Sequence, residues 1–104
     1  MRIPDRLRIG CHDVGVLLTD ETVRHPDTRE ECAGYASVGL NRIVVGRRRF
    51  DEDMPESVIA DTFLHEVAHF CSSTFGLGLT EQQVEGVSGA LLAVIRDNDL
   101  DFRA

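Results

Sequence analysis

The chain contains no lysine, no tryptophan and a single tyrosine, Tyr35. Its eleven basic side chains are all arginine, set against 18 acidic ones and a formal net charge of −7. That balance argues against general nucleic-acid binding, which needs a basic surface to neutralise phosphates. Arg47-Arg48-Arg49 is a local exception, expected to be a solvated loop after a strand or, more sharply, a patch for an acidic partner. Cysteine is scarce and odd in number. Cys11, Cys32 and Cys71 show no CxxC spacing, which excludes a disulfide framework and a cysteine-rich zinc knuckle. All three are expected reduced, with Cys71 a small core residue on an apolar helix face. No apolar run approaches the roughly 20 residues that span a bilayer, and Met1 to Arg6 lack the apolar stretch of a signal peptide. A cytoplasmic protein without a membrane partner is therefore expected.

What is present suits one folded domain over residues 1–104, with 42% hydrophobic and 28% charged residues. The first half reads as β. Leu7 to Ile9, Val14 to Thr19, Tyr35 to Leu40 and Arg42 to Val45 are short β-prone runs, interrupted at Gly10 and Gly15. Asn41 suits a turn between the last two, and the polar segment Asp20 to Cys32, with His25-Pro26-Asp27, reads as a loop. A small, mostly antiparallel sheet with one covered face is expected.

The second half reads as two helices. Asp53 and Glu56 have capping-box spacing around Pro55. Val58, Ile59, Phe63, Leu64, Val67, Ala68, Cys71 and Phe75 then recur at helical spacing, and Gly76 and Gly78 end the run. Thr80 and Gln83 form a second capping box, followed by an apolar stripe of Val84, Val87, Leu91, Val94 and Ile95. The short intervening loop predicts antiparallel neighbours.

Within the first helix, His65-Glu66-Val67-Ala68-His69 matches HExxH. Residues four apart on a helix lie one turn apart on one face, so two imidazoles can reach one ion. Zinc accepts such nitrogens at about 2.0–2.1 Å. Glu66, beside them, can take a proton from a zinc-activated water and return it to a leaving amine. A chance match is expected in about one sequence per hundred of this composition, and this one falls mid-helix, where the geometry requires it.

A hydrolytic zinc site has three protein ligands as a rule. No third histidine follows in an HxxGxxH pattern, so the remaining donors are Glu81, Glu85, Asp97, Asp99 and Asp101. Counting rise along two antiparallel helices places Glu85 roughly level with His69. Glu85 is therefore expected as third ligand, with Glu81 in reserve near the loop. His12 and His25 fall in predicted loops, where they read as polar surface. Tyr35 reads as a strand residue whose phenol is also of a kind that can bond an oxyanion.

The run Thr62 to Phe70 around HExxH, followed by the glutamate-bearing helix ending Leu91-Leu92-Ala93-Val94-Ile95-Arg96-Asp97-Asn98, resembles small phage- and prophage-encoded HExxH proteins. Those are similar to minimal gluzincins, distantly akin to ImmA/IrrE-type metallopeptidases. The resemblance covers roughly Leu7 to Asn98, with specific motifs in the second half alone. It implies an α+β, zincin-like domain: a three-stranded, mostly antiparallel sheet packed on two antiparallel helices. It implies Zn2+ as cofactor, His65, His69 and Glu85 as ligands and Glu66 as general base. It also implies an extended peptide or protein substrate held along a strand edge, for which Arg42 to Val45 is the candidate. The expected function is zinc-dependent peptide hydrolysis. The alternative is a non-catalytic, zinc-stabilised protein-binding module of phage origin.

Overall fold

A computed structural model describes residues 2–100. Four strands form the main sheet: β1 (Arg6–Ile9), β2 (His12–Thr19), β3 (Gly34–Ser37) and β4 (Arg42–Gly46). A small hairpin follows, β5 (Arg48–Arg49) and β6 (Glu52–Asp53), and then two helices, α1 (Glu56–Thr74) and α2 (Glu81–Asp97). The α+β expectation holds; the sheet differs from it. It has four strands in the order β1-β2-β4-β3, and its two central strands, β2 and β4, run parallel. Two antiparallel hairpins, β1–β2 and β3–β4, lie side by side through their second strands. The segment from Asp20 to Ala33 makes this possible. It carries the chain past β4's place to the far edge, so that β3 enters as the outer strand.

Local chemistry explains each turn. Gly10 takes a left-handed φ of 61° between β1 and β2, and Asn41 one of 50° between β3 and β4. Both residue types tolerate that region. Strand β4 reads Arg-Ile-Val-Val-Gly and is buried from Ile43 to Gly46. A continuous apolar run of this kind suits a strand covered on both sides. Having β2 on one edge and β3 on the other, β4 has no free edge, so Arg42 to Val45 cannot be the strand that accepts an extended peptide. The edge strands are β1 and β3, and of the two β3 has the more extensive contact with α1.

The core forms where the sheet meets α1. Val14, Val16, Ile43 and Val45 face Phe63 and Phe70, all less than a tenth exposed. Gly34 is a close-approach position: a Cβ there would lie 2.5 Å from the Val44 carbonyl oxygen and 3.0 Å from Thr62. The Asp20–Cys32 segment is tied down by a bridge between Arg24 and Glu31 and by the Cys32 N–H donating to the Val23 carbonyl, with Val23 buried.

Both helix starts are informative. Thr80 and Gln83 form the expected capping box, at 3.1 and 2.9 Å. Asp53 does not cap α1: Pro55 is the N-cap, without a side-chain bond, and the Asp53 carboxylate is taken by Arg48 at 2.8 Å. The expected stripe on α2 also divides. Val84 is buried, whereas Val87, Leu91 and Val94 are about half exposed, because α2 packs chiefly on α1. Val58 and Phe75 are exposed as well. Cys71 packs against the core as expected. No helix among the described residues is long and apolar enough to cross a membrane.

Candidate metal centre

The site is built from one face of α1 and the first turn of α2. His65 and His69, four apart, point their Nε2 atoms to within 3.1 Å of each other. The Glu81 carboxylate closes the triangle: Oε1 is 2.7 Å from His65 Nε2 and Oε2 is 2.8 Å from His69 Nε2. Three donors bound at about 2.05 Å to a tetrahedral ion would stand about 3.3 Å apart. The observed spacing is slightly tighter, so a small relaxation accommodates an ion. Two nitrogens and a carboxylate oxygen converging on one point can hold a metal ion.

The third donor differs from the one counted from helix rise. Glu81, not Glu85, reaches the histidines; Glu85 lines the same groove outside the cluster. The reason lies in the loop. Gly76 takes φ 64°, and the Leu77 N–H donates back to the Ser72 carbonyl at 2.9 Å, a Schellman-type closure. The Leu79 N–H then donates to the buried Ser72 Oγ, also at 2.9 Å. The loop therefore climbs back along α1 before α2 begins. Glu81 starts level with the last turns of α1, and Glu85 lies about 6 Å further on. As the first residue of α2, Glu81 also benefits from the positive end of the helix dipole. Asp97 and Asp99 lie at the far end of α2, outside the cluster, and Asp101 lies outside the described residues.

Glu66 interrupts the buried stripe of α1. It follows Phe63 by three residues and precedes Phe70 by four, so it turns partly toward the sheet and is only 8% exposed. Its carboxylate has no ion-pair or hydrogen-bond partner among the described residues, yet it borders the groove. Burial pushes the Glu66 carboxyl above the ordinary glutamate range, and Glu81 adds to that push. His65, His69 and His25 pull the other way. An unpartnered carboxylate in a low-dielectric position beside a donor cluster is poised to accept a proton.

No family model matches the chain, and no curated protein or solved structure is significantly similar to it. The functional reading therefore rests on the geometry of these residues.

The groove encloses about 820 Å³ between β3, α1, the start of α2 and the loop carrying His25. Strand β3 forms one wall of it and is one of the two edge strands of the sheet. The Ala33 carbonyl accepts from the Gly46 N–H, so by antiparallel alternation the backbone groups of Gly34 and Ala36 point away from β4. Among the described residues the Ala36 N–H and carbonyl have no partner.

Two groove residues were not legible as such in the sequence. His25 borders the groove and meets the Tyr35 ring edge-on at 6.4 Å. Its Nδ1 accepts from the Asp27 N–H at 3.1 Å and the Thr28 N–H at 3.4 Å. In a neutral imidazole so held, the proton sits on Nε2, which becomes a donor. The His-Pro-Asp turn signal was the one clue. Arg49 also lines the groove, while Arg47 and Arg48 pair with Asp20 and Asp53 at the surface. His12 instead packs edge-on to Phe70, outside the groove.

Proposed function

We propose that the protein is a zinc-dependent metallopeptidase acting on extended peptide segments, with His65, His69 and Glu81 as metal ligands and Glu66 as general base. The observation that carries this reading is the convergence of both imidazole Nε2 atoms and the Glu81 carboxylate within 2.7–3.1 Å, one residue from a buried, unpartnered carboxylate. Two histidines and a glutamate are the donor set of hydrolytic zinc sites, which keep a fourth position open.

A bound zinc ion supplies a Lewis acid that activates water and polarises a carbonyl. The remaining work falls to the chain. Strand β3 takes the substrate backbone in extended form through the free groups of Ala36. Glu66 accepts the proton of the attacking water and delivers it to the amine as the peptide C–N bond breaks. His25, which borders the groove, supplies its Nε2–H as a donor for the oxyanion that develops on the scissile carbonyl. The groove is open to solvent, which suits a flexible segment better than a folded surface.

The test joins metal analysis to turnover. Wild-type protein should carry about one zinc per chain. Glu81→Ala should lose it, and Glu85→Ala should keep it. Glu66→Gln should keep zinc and lose hydrolysis of an unstructured peptide library. Zinc retained by Glu81→Ala would sink the ligand assignment. Turnover retained by Glu66→Gln would sink the mechanism. Stoichiometric zinc with no hydrolysis in the wild type would leave a non-catalytic, zinc-stabilised binding module as the reading.

A further inference from the structure

Arg49 differs from its two neighbours in the basic run. Arg47 pairs with Asp20 at 3.5 Å and Arg48 with Asp53 at 2.8 Å, and both remain exposed. Arg49 forms no ion pair and no hydrogen bond among the described residues, and its Nε is closed off from solvent without an acceptor. Its cross-strand neighbour Glu52 offers a carboxylate, but the two do not pair. A buried guanidinium nitrogen left without an acceptor is costly, and such groups in native proteins call for a missing partner.

The backbone that delivers Arg49 is strained. The hairpin between β5 and β6 turns through Phe50 and Asp51, with φ of 52° and 60°. Two successive left-handed residues make the tight turn that glycine and asparagine usually supply. A phenylalanine there is costly and persists only where its surroundings hold it. They do so here. The Phe50 N–H donates to Glu31 at 2.9 Å, Arg48 donates to the Asp51 carbonyl at 2.8 Å, and the Arg49 guanidinium lies 5.0 Å above the Phe50 ring. The stack covers one face of the guanidinium and Nε is shut away, so the terminal Nη nitrogens are what remains open to a planar anion.

The groove supplies the context. Among its lining residues Arg49 is the one arginine, against the carboxylates of Asp61, Glu66, Glu81 and Glu85. A negatively charged ligand is repelled by most of this wall and accepted at one place. We infer that Arg49 is an anion subsite that pairs with a carboxylate of the peptide in the groove, either its C-terminal group or an acidic side chain at a set distance from the scissile bond. The identity of the ligand as a peptide rests on the metallopeptidase reading; the anion site does not.

The experiment uses zinc-loaded Glu66→Gln protein, which should bind without turnover. The probes are N-acetyl-tetra-alanine as the free acid, the same peptide as its C-terminal amide, and the amide with one alanine replaced by aspartate or by asparagine. Affinity is read by titration, and the Arg49 Nε–H is followed by nitrogen-15 NMR. The free acid or the aspartate peptide should bind at least tenfold tighter than its neutral match and should shift the Arg49 Nε–H signal; which of the two does so identifies the carboxylate. Adding Arg49→Gln should abolish the preference while zinc content stays at one per chain, and Arg49→Lys, without the planar fork, should restore part of it. Equal affinity for charged and neutral probes, or a preference that survives Arg49→Gln, would overturn the inference. Repeating the titration after chelation separates the two readings. A carboxylate preference in protein that never takes up zinc upholds the subsite and removes the peptidase. Hydrolysis by the wild type, with no such preference in the Glu66→Gln protein, does the reverse.

Discussion

At the scale of single residues, the site depends on where protons and lone pairs are held. Glu66 sits where the helical period calls for an apolar side chain, between Phe63 and Phe70, and among the described residues no hydrogen bond or ion pair offsets the cost of burying it. Charged residues in a core stripe are rare unless they serve a site. In a neutral His25 imidazole the proton has a defined place, Nε2, because two backbone N–H groups occupy Nδ1. If its Nε2–H steadies the oxyanion, His25→Ala should lower kcat about 10²- to 10³-fold, the usual loss for one such donor. KM and zinc content should change little. The check is steady-state kinetics beside metal analysis. An unchanged kcat would return His25 to the surface-loop role read from the sequence, and a loss of zinc would show that it acts on the metal centre instead.

At the scale of elements, the first turn of α2 carries both a helix cap and the candidate ligand Glu81. Thr80 and Gln83 satisfy each other's backbone N–H groups, and Glu81 follows the cap directly. Thr80→Ala should cost about 1 kcal/mol of stability, within the 0.5–2 range for lost caps. Fraying of that turn also displaces Glu81, so zinc affinity should fall in the same variant, with Thr80→Ser retaining both. Thermal melts with and without chelator, together with a competitive zinc titration, separate the two effects. A melting temperature that drops while zinc affinity stays unchanged would show that Glu81 is held by something other than the cap. The capping box and HExxH were legible because both are local patterns of spacing. The Asp53–Glu56 pair had the same spacing and failed, because Arg48 claims the Asp53 carboxylate across a hairpin. Local spacing does not reveal a competitor brought in by folding.

At the scale of the whole molecule, one face of α1 packs on the sheet while α2 packs chiefly on α1. The two helices meet at the metal centre, so an ion there would clamp α2 to the domain. Zinc held at a hundredfold excess over its Kd should add about 2.7 kcal/mol to stability. For a domain near 100 residues, chelation should then lower the melting temperature by roughly 10–20 °C. His65→Ala should melt near the chelated wild type and should not respond further to chelator. Calorimetry with and without chelator checks this; a wild-type melting point insensitive to chelator would mean that metal does not join the helices.

Much of this architecture is written in short-range pattern. Apolar period, caps and turn residues place both helices and the main strands, because each responds to neighbours within four or five positions. The two histidines and Glu66 share a helix, so their proximity follows from backbone geometry alone. The continuous run Ile43-Val44-Val45 even marks β4 as an inner strand, a signal that an edge assignment overlooks. Other features depend on how elements meet. The choice of Glu81 over Glu85 turns on a loop that climbs back along α1 through Ser72, which rise per residue cannot show. The parallel pairing of β2 with β4, and the arrival of His25 and Arg49 in one groove, turn on the path of the chain over the sheet. These are contacts between distant residues, set by packing and loop closure, and they have no local sequence period from which to be read.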